Sequence, residues 1–308
     1  MKKHLWLIAA FLIPALRAEP AAPAAADAAQ TEEAEKKEQF IRVEEKGKAT
    51  ELQTAVVKLT KGDASVELIG AIHIADKKYY QALNTRFESY DALLWEGIGN
   101  GRPASLEEIR AEEEEPVAEV PGENAEPVAP AKKPKGNLSG LHKAYEAGAK
   151  WLDLAYQMKE IDYAKPNFVH ADLSYDEFVE LQEKRGESLL SFVLKAGLEA
   201  DQKGVKQPST FKLLTSLIRG SANGVKRELV HTLGAGDDQV AGLAGESVII
   251  SDRNAKCLEV LAREVEAGKK KLGVFYGAAH FPDMVERLVE DGWMLGSTEW
   301  VTAWDIGE

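Results

Sequence analysis

Apolar positions along the chain switch between short runs and a helical period, predicting strands and helices in alternation. Phe40-Ile41-Arg42-Val43 and Thr54-Ala55-Val56-Val57-Lys58-Leu59 read as strands, and Lys61-Gly62-Asp63 makes a hairpin turn into Ser65-Val66-Glu67-Leu68-Ile69. From Asp76 to Ser89, Tyr80, Leu83 and Phe87 fall at helical spacing, and Ala92-Leu93-Leu94-Trp95-Glu96 follows as a buried strand. The middle, from Leu138 to about Leu233, is mainly helical. It is interrupted by Asn167-Phe168-Val169-His170-Ala171-Asp172-Leu173, after which Ser174 and Glu177 form a capping box for the next helix. Ile250 to Ala267 reads as a helix with Leu258, Leu261 and Val265 on one face and Gly268 just past its end. Leu272 to Tyr276 is an apolar strand and Phe281 to Asp291 a helix with Pro282 in its first turn. Trp293-Met294-Leu295 and then Glu299 to Trp304 supply closing strands. This order predicts an α/β fold: a central mixed, largely parallel sheet with flanking helices and a helical middle segment, in one domain over residues 39–308.

Composition adds three features to that outline. The chain has 308 residues, 44% of them hydrophobic, which is enough for a sizeable buried core. Met1-Lys2-Lys3-His4, an apolar run from Leu5 to Leu16, and Arg17-Ala18 match the zones of a secretory signal peptide over residues 1–18, with cleavage expected after Ala18 or later in the Ala-rich stretch. The expected location is therefore extracytoplasmic, periplasmic or secreted, with membrane contact only through the signal before cleavage. Residues 19–38 are an Ala/Pro/Glu leader with little to bury, and a low-complexity insertion at about 100–137 carries Glu112 to Glu115 and Lys132-Lys133-Pro134-Lys135. Cleavage deletes Lys2, Lys3 and Arg17 but no acid, moving the formal charge from −13 to −16. A surface of that sign repels nucleic acid and anionic lipid, so no nucleic-acid partner is expected. The single cysteine, Cys257, lies in a helical apolar setting and is expected to be a buried thiol.

The candidate chemistry rests on an internal match. Gly70-Ala71-Ile72-His73-Ile74-Ala75-Asp76 and Gly277-Ala278-Ala279-His280-Phe281-Pro282-Asp283 share the pattern G-A-x-H-x-x-D, each after an apolar strand and before a helix. In open parallel sheets, ligands gather at the carboxyl ends of strands. Two such turns on neighbouring strands would bring His73 and His280 to one crevice, as a metal site or as an acid/base pair. Asp76 and Asp283 either favour the helix starts or orient an imidazole. Glu96 ends an apolar run, where a carboxylate is costly unless paired or bound to a cation. Arg253 and Asn254 open a helix, a place that usually carries acids; Arg253 either faces an anion or a polarised carbonyl, or pairs with Asp252 at the surface. His170, in its short apolar strand, is either a further ligand or a satisfied, partly buried histidine.

With Gly70 to His73, Asp91 to Glu96, Asp252-Arg253-Asn254 and Gly277 to His280 in that order, the chain resembles the TraB/GumN family, whose animal relatives include the Tiki proteases. The resemblance implies a fold like the erythromycin-esterase-like and haem-binding ChaN-like proteins. It also implies a metal-dependent, peptidase-like hydrolase acting on a peptide or protein, with manganese or cobalt as the ion and His73, His280 and Glu96 as the functional positions. The expected mechanism has these three side chains hold the ion, which activates water. Arg253 and Asn254 would polarise the substrate carbonyl, and Asp76, Asp283 and His170 would support the ligands. The alternatives are a metal-free hydrolase in which His73 and Glu96 activate water, and a haem- or metal-binding protein on the same fold. The chain departs from the family pattern at Asp283, where a glycine is common.

Overall fold

Three central strands carry almost uninterrupted apolar sequence because helices cover them on both faces. The computed structural model describes residues 39–99, 138–187, 209–234 and 247–307. The signal peptide, the leader and the insertion expected at about 100–137 lie outside the described residues.

In chain order the strands are β1 (Ile41–Lys46), β2 (Ala49–Lys61), β3 (Ala64–Ala71), β4 (Ile74–Ala75), β5 (Ala92–Trp95), β6 (Ala155–Tyr156), β7 (Phe168–His170), β8 (Lys271–Gly277) and β9 (Met294–Ile306). The α-helices are α1 (Lys77–Phe87), α2 (Leu138–Leu152), α3 (Gln157–Glu160), α4 (Tyr175–Arg185), α5 (Thr210–Ile218), α6 (Ala222–Gly234), α7 (Arg253–Glu266) and α8 (Phe281–Glu290). A π-helical turn, Val248–Asp252, leads directly into α7, and a 3₁₀ turn, Ala278–His280, into α8.

The sheet is mixed. β3, β8, β5 and β7 run parallel in that spatial order, while β1, β2, β3 and β9 are joined by antiparallel pairings. β9 follows β2 from Thr50 to Thr60, so β1 and β3 share the other edge of β2 end to end. β4 and β6 form a separate two-stranded ribbon beside His73. Alternation across β8 shows the layering. Phe275 packs on Phe87 of α1, with ring centroids 4.9 Å apart, whereas Tyr276 faces the other side and meets Cys257 of α7. Cys257 is buried, as its apolar helical neighbours predict.

Local signals account for most element ends. Ser174 caps α4 through the reciprocal bonds with Glu177 and Gly186 ends it in the left-handed conformation, while Gly268, at φ +92°, follows the end of α7. Two expectations are corrected. The closing strands are one continuous strand, β9, in which Gly296 lies so close to β2 that a Cβ there would come within 2.9 Å of the Lys58 carbonyl oxygen. The helix expected from Ile250 begins earlier, as the π turn, and becomes α-helical only at Arg253. Among the described residues no helix is long and apolar enough to cross a membrane.

Candidate active site

The two matched turns leave adjacent parallel strands. Gly70 of β3 lies opposite Tyr276 of β8, and Ala71 opposite Gly277, so His73 and His280 follow neighbouring carboxyl ends. β5 flanks β8 on the other side, with Trp95 opposite Phe275, and Glu96 follows it at the same end of the sheet. Neither motif glycine has a positive φ; each sits where a Cβ would crowd a neighbour. A Cβ on Gly70 would sit 3.2 Å from Ala278 Cβ, the Ala55 carbonyl and Thr54 Cβ. One on Gly277 would sit 3.3 Å from Glu96 Oε2.

Glu96 is the centre of the cluster. Its Oε2 accepts the Gly277 N–H at 2.6 Å, its Oε1 accepts from Arg253 Nη2 at 2.7 Å, and His280 Nε2 lies 3.6 Å from Oε1. Burial opposes ionisation of this carboxyl, but the Arg253 charge, followed by His280 and His73, outweighs it and holds the group well below the usual carboxylate range. His73 therefore belongs to the electrostatic neighbourhood of Glu96.

Arg253 is buried and carries two carboxylates. Its Nε bonds Asp172 Oδ1 at 3.0 Å and its Nη2 bonds Asp172 Oδ2 at 2.6 Å, besides the bond to Glu96. Burial works against its charge; Asp172 and then Glu96 more than compensate and raise its pKa. Asp172 is further held by the N–H groups of Gly97 and Leu173. Asp252, the partner considered for a surface pair, binds Arg185 instead.

His280 is buried in its 3₁₀ turn with its ring edge against Tyr276. Its Nδ1 donates to Asn254 Oδ1 at 2.6 Å. The direction is fixed because Asn254 Nδ2 donates to two pure acceptors, the His280 carbonyl at 3.0 Å and Asp283 Oδ2 at 2.7 Å. Asp283 is held in turn by Arg287. His73 is half-buried; its Nδ1 lies 3.2 Å from Gln157 Oε1 and its ring packs 4.9 Å from that of Tyr145.

No family model matches the chain, and neither does any curated protein or solved structure.

Several roles read from the sequence change. Arg253 bonds Asp172, Glu96 and the Ile249 carbonyl, and Asn254 bonds His280 and Asp283, so both side chains build the site. Asp76 holds the N-cap position of α1, but its side chain makes no capping bond: its Oδ2 accepts the Asp305 N–H at 2.7 Å, tying the helix start to β9. Asp283 acts on His280 through Asn254. His170 bonds the Gly97 carbonyl at 2.6 Å and packs on Trp95, which steadies the chain just after Glu96. Among the described residues no group of three or more His, Cys, Asp or Glu side chains is arranged to hold a metal ion. The donor types of His73, His280 and Glu96 suit a divalent ion, but Glu96 Oε1 is already taken by Arg253, and an ion there would displace or face that cation.

Asp172 was not singled out from the sequence, although the signal was present: like Glu96, it ends a short apolar run, Phe168 to Ala171. Gln157 and Tyr145 gave no such signal.

Proposed function

We propose that the protein is a hydrolase of amide or ester bonds, with a peptide as the first substrate class to test, and that it activates water at the crevice between the two matched turns. The observation that supports this is a half-buried Glu96 that is paired with Arg253, has its pKa held low, and shares the carboxyl ends of adjacent strands with the two matched histidines. A carboxylate whose acid form is so disfavoured is a poor proton acceptor. Its part is electrostatic: it stabilises the imidazolium formed when a histidine takes a proton from water. His73, the more accessible ring, is the base, and the resulting hydroxide attacks the carbonyl carbon. His280 enters as the cation, its Nδ1–H on Asn254 and its Nε2–H toward the same carboxylate; it gives the Nε2 proton to the leaving atom, and the proton held by His73 returns to it through water, so both rings end as they began. Arg253 keeps Glu96 ionised and in place, and Asn254 with Asp283 fixes the His280 ring.

A metal-assisted form of the same hydrolysis, with manganese or cobalt at His73, His280 and Glu96, is the second reading. What favours it is the 3.6 Å separation of His280 Nε2 and Glu96 Oε1, too long for a hydrogen bond and flanked by lone pairs. No step above depends on an ion. The arrangement also supports the TraB/GumN resemblance and its erythromycin-esterase-like and ChaN-like fold, because residues from all four motifs meet at one end of the sheet. The expected export and location in the periplasm or outside the cell complete the proposal.

The test is hydrolysis of a panel of peptides and esters by the full chain, before and after exhaustive treatment with a chelator, with His73→Asn and Glu96→Gln variants alongside. Turnover that both substitutions reduce by roughly 10²- to 10⁴-fold supports the reading. Survival after chelation selects the metal-free form, and loss restored by manganese or cobalt selects the second. Full activity in His73→Asn, or no hydrolysis of any substrate by the parent chain, overturns it.

A further inference from the structure

Two amide side chains hold the two imidazoles, and the one on His73 comes from a part of the chain with no motif. Gln157 is the first residue of α3 and is buried. It grips the first turn twice: its backbone N–H donates to the His73 carbonyl at 2.9 Å, and its side-chain Oε1 meets His73 Nδ1 at 3.2 Å. The backbone bond continues the short β4 to β6 ribbon, in which Ile74 lies opposite Tyr156 and Ala75 opposite Ala155. The other end of the amide meets the Tyr163 hydroxyl, to which Gln157 Nε2 donates at 2.8 Å when Oε1 faces His73. Tyr163 is itself buried and packed between Trp95 and Phe168.

An amide oxygen only accepts. If Oε1 is the atom facing His73, the imidazole must carry its proton on Nδ1, and the Nε2 lone pair is left for the crevice. We infer that Gln157 is a positioning residue that fixes His73 as the Nδ1–H tautomer, through a relay running from Tyr163 to Gln157 to His73. The tautomer is a property of the folded chain and stands apart from any reaction. Its consequence for catalysis rests on the hydrolase reading, in which His73 takes a proton from water at Nε2.

The relay also explains why the two turns need different supports. On His280 the same task falls to Asn254, whose orientation Asp283 determines. On His73 the residue at the matching place, Asp76, is engaged by β9, and the amide comes from Gln157, 84 positions along the chain.

Nitrogen-15 chemical shifts of the histidine rings in the labelled full chain, at a pH where His73 is neutral, report the tautomer directly. The expected result is a protonated Nδ1 on His73 in the parent chain. In Gln157→Leu, which removes the acceptor, the ring is expected to shift toward the Nε2–H form, while Gln157→Glu, which keeps an acceptor at that place, retains Nδ1–H. Tyr163→Phe, which frees the far end of the amide, gives an intermediate mixture and serves if Gln157→Leu does not fold. A His73 ring found as Nε2–H in the parent chain, or unchanged in both Gln157→Leu and Tyr163→Phe, overturns the inference whether or not hydrolysis is observed. In the hydrolysis assay, Gln157→Leu is expected to lower kcat by roughly 10- to 100-fold with KM little changed, and Gln157→Glu to recover a substantial part. A drop in kcat with the tautomer unchanged assigns Gln157 a merely structural role and overturns it as well.

Discussion

Replacing Arg253 with methionine removes one cation and leaves two buried carboxylates facing each other. The side chain is 8% exposed, Asp172 0% and Glu96 15%, so water does little to take over the lost interaction. What remains to the anions is partial: Asp172 keeps the Gly97 and Leu173 N–H groups, and Glu96 keeps that of Gly277. Breaking a buried pair by removing one partner costs about 3–5 kcal/mol. At about 2–4 °C per kcal/mol for a domain of this size, that lowers Tm by roughly 6–20 °C. Urea unfolding followed by tryptophan fluorescence measures the loss, read as a fall in midpoint at unchanged slope. Its pH dependence has a definite sign. Glu96 has a folded-state pKa below its unfolded value, so its contribution is fully present above about pH 4.3 and is lost as pH falls through the folded value. Without Arg253 the largest cause of that depression is gone, so the variant has less of this term to lose. Its deficit relative to the parent chain therefore narrows in acid. Adding Asp172→Asn removes one of the stranded charges and is expected to make the double variant more stable than the sum of the two losses by about 1 kcal/mol or more. A deficit below about 1 kcal/mol at neutral pH, or one that does not narrow on acidification, refutes the buried ion-pair account.

Two further outcomes are expected. Gly70→Ala puts a methyl group against Ala278, Ala55 and Thr54 at 3.2 Å, two of these being backbone or strand-bound atoms, and should cost about 1–3 kcal/mol in the same unfolding assay; a neutral result shows that β3 and the second turn are not in close contact. Burial raises the Cys257 thiol far above its ordinary value, so maleimide labelling should proceed only at the rate of unfolding, and rapid labelling of the folded chain contradicts its place behind Tyr276.

The central strands were legible because burial on both faces demands uninterrupted apolar sequence, as in Ala92 to Trp95 and Leu272 to Tyr276. Both halves of β9 were legible but its continuity was not, because an edge strand with one paired side tolerates Gly296-Ser297-Thr298, which breaks the apolar pattern. The π turn before Arg253 left no trace either, since one shifted hydrogen bond does not alter the apolar period around it. In the site, Glu96 was visible as a carboxylate ending an apolar run, and the two histidines through the matched turns. Asp172 obeys the same rule, ending the run Phe168 to Ala171 two positions after His170. Gln157 was illegible in principle: it sits in a four-residue helix with no periodicity, and its role depends on a partner 84 positions away.

The matched turns look like a symmetric pair in sequence, but they are not equivalent in the fold. In the first, glycine allows β3 to approach β2 and the second turn, and the histidine that follows stays half-buried, within reach of water. In the second, glycine leaves room for Glu96 to dock on its own N–H, and the histidine is enclosed by Tyr276 and Asn254. One carboxylate thus faces an accessible imidazole and an enclosed one, with Arg253 holding it ionised. Two chemically identical rings in different surroundings are what a reaction needs if one is to take a proton from water while the other gives one up. The difference in surroundings follows from the parallel pairing of β3 with β8 and from the position of β5 beside them. A side chain on either glycine would crowd that approach, by 3.2 Å contacts at Gly70 and a 3.3 Å contact with Glu96 Oε2 at Gly277.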